Sequence, residues 1–201
     1  FKYYNFLNEN LTFLTNNIGI SNNLPYLNIL LPIGLSFHTF QAMSYTIEVY
    51  KGNQKAERRF GIYALYVLFF PQLVAGPIER PQNLLPQIKK KHNFNYNQVY
   101  FVLTLMLWGF FKKVVIADRL AILVDTVYGN VGNYTGFPLI LATVFFAFQI
   151  YCDFSGYTDI AIGAAQIVGI RLMENFRRPY SSKSIGEFWR RWHISLSSWF
   201  K

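Results

Sequence analysis

The sequence predicts an all-α integral membrane protein of the polytopic kind, and three observations carry that prediction. Hydrophobic residues make up 52% of the 201 residues and aromatic residues 19%, while charged residues reach only 14%, against about 25% in soluble domains. The apolar residues gather into long stretches, and a helical span needs about 20 of them. The positive charge falls between those stretches. A net charge of +9 and a pI near 9.6 would suit a nucleic-acid binder, but Lys and Arg collected between apolar runs are the pattern of cytoplasmic loops. No nucleic-acid partner is therefore expected. Mean hydropathy is a modest +0.18 because polar loops dilute the spans.

Taken in order, residues 1–23 are Asn-rich with scattered Phe and Leu, and predict a short interfacial helix and a loop. Residues 24–47 form the first apolar stretch, which carries Pro25, Pro32, Gly34 and His38. Residues 60–78 form the second, broken in its latter half by Pro71, Gly76 and Pro77. The loops on both sides of it are basic, with Lys51, Lys55, Arg58 and Arg59 before and Arg80, Lys89, Lys90 and Lys91 after. A single crossing would put one of these loops outside, against the positive-inside rule. A re-entrant or broken helix is expected instead, of a kind that survives only when buried in protein or lining a cavity.

The third stretch, residues 99–117, is interrupted by Lys112 and Lys113 and continues through 120–124. Residues 129–135 carry no charge and are the expected external loop. The fourth stretch, residues 137–152, runs into a polar segment from Asp153 to Asp159. The apolar piece 160–170 is too short to span at about 1.5 Å per residue, so a half-helix or re-entrant piece is expected there. The basic tail from Arg171 then faces the cytoplasm. The chain opens on Phe1 and closes on Lys201 without helix stop signals, and is expected to be one partial transmembrane domain, 1–201, cut at both ends.

Residues 184–200 predict an amphipathic helix lying at the membrane interface. Ser184 and Glu187 fit a capping box. Ile185, Phe188, Trp189, Trp192, Leu196, Trp199 and Phe200 recur at helical spacing, with Arg190, Arg191 and Ser198 largely opposite. Glu187 and Arg191 form an i,i+4 pair. Ile194 falls on the polar side. His193 lies about 80° from the centre of the stripe at ~100° per residue, with Ser197 one turn further on. Its titration near neutrality suits general-base work on a hydroxyl; the structural alternative is an interfacial His bonded to backbone or to a lipid headgroup.

Other candidates carry similar pairs of readings. His38 in an apolar run is either functional or satisfied by Gln41 or a neighbouring helix. His92, in a charged loop, is expected to be solvated. Asp153 and Asp159 flank Gly156 between apolar stretches, where carboxylates are costly unless paired or wet. They could orient a His, bind Arg or line a substrate path. Without a His or Cys cluster they make no metal site, and none is expected. Arg177-Arg178 and Arg190-Arg191 could attract the phosphates of a nucleotide-bearing donor or act as positive-inside anchors. The lone Cys152 reads as apolar filler. Phosphate-loop, nucleophile-elbow and zinc spacings are all missing from the sequence.

Five segments together resemble the membrane-bound O-acyltransferase family: PIGLSFHTFQ at 32–41, FPQLVAGPI at 70–78, DFSGYTD at 153–159, ENFRRPY at 174–180 and FWRRWHISLS at 188–197. They occur in the family's order, and the last is the most specific. The similarity is greatest to the bacterial branch of alginate O-acetyltransferase membrane subunits, and less to the teichoic-acid D-alanylation branch. The resemblance implies a larger fold of many helices around a funnel through a bacterial inner membrane, crossed several times. It implies transfer of an acyl group, acetyl in this branch, from cytoplasmic acetyl-CoA or a related thioester towards an extracytoplasmic polysaccharide. That thioester would be a donor substrate, not a bound cofactor. The partners it implies are membrane lipids, an exported acetyltransferase-like protein and a cell-surface polysaccharide acceptor.

His193 matches the first of two histidines associated with activity in the family; the second, the stronger candidate for principal base, would lie beyond residue 201, so the 201 residues alone are expected to be inactive. His38 has no counterpart among those two. Asp153, Tyr157, Asp159, Asn175, Arg190 and Arg191 fall in the matching segments and are candidates for the substrate path. Two other functions fit the residues. A transporter or flippase would also use broken helices and intramembrane carboxylates, although the halves of the chain are not self-similar. A non-catalytic membrane anchor for an exported acetyltransferase would leave the polar segments at membrane depth without a purpose.

Overall fold

A computed structural model describes residues 3–19, 21–28 and 34–201. Of the segment 32–41, Pro32 and Ile33 lie outside the described residues. The secondary structure is helical throughout, with no strand among the described residues. The chain divides into two compact units, one up to Leu35 and the other Ser36–Lys201.

In the first unit, α1 (Tyr4–Asn17) is followed by an extended return. The Asn-rich composition has a direct use here. Asn5 both donates to Leu27 O (2.9 Å) and accepts from Leu27 N–H (3.0 Å), and Asn8 donates to Leu24 O at 3.2 Å. Asn22 reaches back to Asn8 Oδ1 at 2.7 Å. Side-chain amides thus satisfy backbone groups of a segment that forms no ladder of its own. Phe6, Leu7, Phe13 and Leu14 stay exposed.

The second unit holds α2 (Leu35–Tyr50) from Ser36 onward, then α3 (Phe60–Val67), which ends at Leu68 and gives way to a short 3-10 turn at Phe70–Gln72. The expected break in residues 60–78 is therefore present: Pro71 and Pro77 lack the N–H that a continuing helix would use. Next come α4 (Pro81–Lys89), with Pro81 in its first turn, and α5 (Tyr96–Phe110), capped by Asn95 accepting from Gln98 N–H at 3.3 Å. A π-helical segment, Phe111–Ala117, joins α5 to α6 (Asp118–Tyr128), and the three make one continuous helix, Tyr96–Tyr128. After the connection 129–136, α7 (Phe137–Ile167) packs back along it.

These two long helices are each long and apolar enough to cross a membrane. Their outer faces, with Leu103, Leu107, Trp108, Val114, Phe137, Ile140 and Val144, are exposed, whereas the core helix of a soluble protein would be covered.

One expectation is overturned here. Residues 160–170 are not a separate half-helix: α7 runs unbroken through the polar segment 153–159 as far as Ile167. The physical reason is that Asp153, Ser155 and Asp159 meet Lys113 and Lys112 on the facing helix, so their cost is met sideways and the backbone need not open.

The buried core sits where α3 and α4 meet the end of α7: Tyr66, Phe69, Leu84, Leu85, Ile162, Ala165, Ile170 and Leu172 form one cluster. It fixes the chain that leaves α7, and that chain carries the candidate site. After it come α8 (Ile185–Arg191) and α9 (Ile194–Trp199).

Candidate active site

The site begins at the crossing of the two long helices. Gly109 and Gly156 meet backbone to backbone: a Cβ on Gly109 would stand 2.6 Å from Gly156 O, and one on Gly156 would stand 2.7 Å from Gly109 O. This close approach brings Lys112 Nζ to 2.6 Å from Asp159 Oδ2 and 3.1 Å from Ser155 Oγ, while Lys113 Nζ lies 2.6 Å from Asp153 Oδ1 and 2.9 Å from Asp118 Oδ1. Consecutive residues on a regular helix point about 100° apart. The π turn, a frequent device at functional sites, lies where both lysines find carboxylates.

Past α7 the chain is held extended. Arg171 N–H donates to Gln87 Oε1 at 2.8 Å, and Met173 N–H donates to Glu79 Oε1. Glu79 is buried, and that burial pushes its carboxyl above the usual range, partly offset by the Asn83 side chain. Residues 175–177 then lie antiparallel to 191–194. Arg177 N–H donates to Arg191 O at 2.9 Å, Ile194 N–H to Asn175 O at 3.0 Å, and Phe176 forms a bridge with Trp192.

This pairing splits the interfacial helix expected over 184–200. The capping box is present, with Glu187 N–H donating to Ser184 Oγ at 3.2 Å, and Glu187 meets Arg191 at 2.5 Å. The helix nevertheless ends at Arg191 and restarts at Ile194. Long-range pairing of Trp192 with Phe176 outcompetes the local helical pattern, so the angular placement of His193 on a single stripe does not hold.

At the break, His193 adopts a left-handed backbone with φ +44°. Among the described residues, Arg178 (φ +46°) is the other non-glycine with positive φ. Such strain persists only where surroundings over-determine it, and it clusters at functional sites. The imidazole packs edge-on against Phe154 with ring centroids 4.7 Å apart, and Phe37 lies at 6.5 Å. Its Nε2 is closed off and has no hydrogen-bond partner. Burial pushes its pKa down to about 4, so the ring is neutral near pH 7.

Beside this turn opens a cavity of about 880 Å³. Lys112, Asp159, Arg178, Arg190 and Arg191 are among its walls, together with Tyr151, Phe176 and Asn175. Lys112 is paired with Asp159, Arg177 with Glu174 and Arg191 with Glu187. Among the described residues, Arg178 and Arg190 form no ion pair, so the cavity has a net cationic wall suited to anionic oxygens.

The sequence profile of the membrane-bound O-acyltransferase family matches residues 60–201, which include both long helices, the cavity and the His193 turn. The chain belongs to this family. A probable alginate O-acetylase of Pseudomonas putida is 42% identical over 203 aligned positions, covering 100% of this chain and 41% of that protein. A peptidoglycan O-acetyltransferase of Helicobacter pylori is 37% identical, covering 100% of this chain and 42% of that protein. A teichoic acid D-alanyltransferase of Bacillus subtilis is 31% identical, covering 87% of this chain and 45% of that protein. The chain thus spans less than half the length of these relatives.

Within this acyltransferase scaffold the expected site residues separate. Asp159, Asn175, Arg190 and Arg191 come together on the cavity. Asp153 and Tyr157 are not among its walls; Asp153 faces Lys113 instead. His193 also lies off the cavity, behind Phe154, whose ring meets the wall residue Phe176 at 5.0 Å. His38 is elsewhere and is not satisfied by Gln41: its Nε2 has no partner, and Gln41 Oε1 accepts from Glu79 N–H at 3.1 Å. His92 is not simply solvated, since it is half-buried with Nε2 2.7 Å from Gln87 O. Cys152 is buried. Sequence reasoning missed Lys112 and Glu79. Two lysines inside an apolar run were the signal for the first, because charge at membrane depth demands a partner. Glu79 gives no such signal: it adjoins Arg80, yet Asn83 and a main-chain N–H satisfy it.

Proposed function

We propose that the intact protein is a membrane O-acyltransferase that moves an acetyl group from acetyl-CoA or a related thioester towards the hydroxyls of an extracytoplasmic polysaccharide. Residues 1–201 would be part of one transmembrane domain in a bacterial inner membrane crossed several times, with the tail after Arg171 on the cytoplasmic side. The observation that carries this reading is the strained His193, whose Nε2 has no hydrogen-bond partner among the described residues, behind Phe154 and a cavity whose walls carry Arg178 and Arg190, which form no ion pair among the described residues. The family membership and the names of its relatives, two of them O-acetyl-transferring and one D-alanyl-transferring, support the acyl-transfer part of this reading.

In this reading Arg178 and Arg190 hold the phosphate oxygens of the donor, and the thioester extends towards His193. The acceptor hydroxyl oxygen attacks the thioester carbonyl carbon. His193 Nε2 takes the hydroxyl proton, the carbon–sulfur bond breaks, and the proton passes to the departing thiolate, leaving an ester and a thiol. Because Nε2 is closed by its aromatic surroundings, substrate binding must move Phe154 or Phe37 aside. The acceptor hydroxyl belongs to the polysaccharide or to an exported acetyltransferase-like protein that finishes the delivery to it, with membrane lipids covering the exposed helix faces.

The test is to supply acetyl-labelled CoA to sealed membrane vesicles containing the intact protein and a hydroxyl-bearing polysaccharide. Label bound covalently to the polysaccharide is the expected result. Label that crosses the vesicle wall without forming an ester would overturn the proposal in favour of transport.

A further inference from the structure

We infer that Asn175 is a positioning residue that holds His193 in its left-handed turn, an inference that rests on the reading of His193 given above. Asn175 is fully enclosed, with 0% exposure. Its Oδ1 accepts from Ser195 N–H at 3.1 Å and its main-chain O accepts from Ile194 N–H at 3.0 Å. Those two N–H groups open α9 immediately after His193, and the first N–H groups of a helix have no partner within it. A capping side chain at the residue before the helix would usually serve the second of them, but His193 occupies that position and supplies none. Asn175 serves them from across the chain.

Both flanks of His193 are pinned by the same segment, through the Phe176–Trp192 bridge and the Arg177 N–H to Arg191 O bond of 2.9 Å. Backbone strain of the kind seen at His193 needs such over-determination. Asn175 was expected on the substrate path, and it is part of the cavity wall. Its Nδ2, however, is sealed and without a partner, so the side chain has no open group to offer a ligand. It acts through His193.

The experiment uses the intact protein in membranes, comparing wild type with Asn175→Ala and Asn175→Asp. The aspartate keeps an oxygen for Ser195 N–H and, enclosed in the same place, is held protonated by burial. Two readouts are taken: steady-state acetyl transfer, and carbethoxylation of each histidine by diethyl pyrocarbonate, quantified by peptide mass spectrometry. Asn175→Ala is expected to raise labelling of His193 several-fold while leaving His92 unchanged. It should also lower kcat roughly 10- to 100-fold with little change in the donor KM. Asn175→Asp is expected to restore both readouts towards wild type. If Asn175→Ala fails to accumulate, Asn175→Ser, whose hydroxyl is too short for the same reach, is read in its place.

Unchanged His193 labelling in these variants overturns the inference, whatever happens to transfer. His193→Ala is assayed alongside them. Full transfer by that variant would remove His193 from the chemistry and so defeat the proposed function, while the labelling would still decide whether Asn175 positions His193.

Discussion

Lys112 Nζ lies 2.6 Å from Asp159 Oδ2 across the two long helices, and this pair joins the membrane-spanning scaffold to the cavity wall. Removing one member leaves the other charge without its counter-ion, which costs about 3–5 kcal/mol in buried settings. The cavity keeps Asp159 partly wet, so the lower end applies. Lys112→Met and Asp159→Asn should each lower stability by about 3 kcal/mol, and the double variant should lose much less than the sum. Thermal unfolding of the purified intact protein in detergent checks this; additive losses would show that the two side chains do not depend on each other.

The Gly109–Gly156 contact sets the spacing that lets this pair form. A methyl at Gly156 would stand 2.7 Å from Gly109 O and 3.1 Å from Lys113 N, both backbone atoms. The helices must then separate, and overpacking of this kind costs about 1–3 kcal/mol. Gly156→Ala should therefore lower the unfolding temperature and reduce transfer together. Gly132, which has open space around it, provides the control: Gly132→Ala should change neither.

Much of this architecture is legible in the sequence, and the misreadings share one cause. Composition and charge placement reveal the helical membrane class, and Pro71 with Pro77 reveals the break after α3. The Ser184–Glu187 cap is equally readable because it is local. The unbroken course of α7 is not readable, because it depends on Lys112 and Lys113 meeting Asp159 and Asp153 from a distant part of the chain. The split of 184–200 is hidden for the same reason: nothing near Trp192 announces that Phe176 will pair with it. At the site, His193, Asp159 and the arginines are visible as residue types in unusual places. The left-handed turn and the Asn175 clamp exist only once residues 175 and 194 are brought together.

Burial holds His193 down at about 4, against an ordinary value of 6.5. Between those values the unfolded chain binds a proton that the folded chain refuses, so stability rises with pH across that window. The contribution is complete above 6.5 and is lost as pH falls towards 4. His193→Gln, which cannot titrate, should flatten this part of a stability-against-pH curve. The same shift means that His193 should produce no break between pH 6 and 8 in kcat/KM, which reports the free enzyme; a break in that range that vanishes in His193→Gln would contradict the assignment of a neutral ring.

Arg190 carries no ion pair among the described residues and is part of the cavity wall. A charge-assisted hydrogen bond contributes about 1.5–3 kcal/mol, or roughly a tenfold effect or more on binding. Arg190→Gln should raise the KM for a phosphate-bearing donor by about that factor and leave kcat nearly unchanged. Initial rates at varied donor concentration and ionic strength would show it, with the wild-type KM rising with salt more steeply than the variant's. An unchanged KM would place the phosphates elsewhere.

The central claim is that His193 handles the proton of the accepting hydroxyl. The most direct measurement is the rate of covalent acetyl transfer by intact His193→Ala protein at an abundance matched to wild type. The account predicts a loss of at least about 100-fold, the lower range for removal of a general base. Transfer near the wild-type rate would contradict it and reduce His193 to a strained turn of the scaffold.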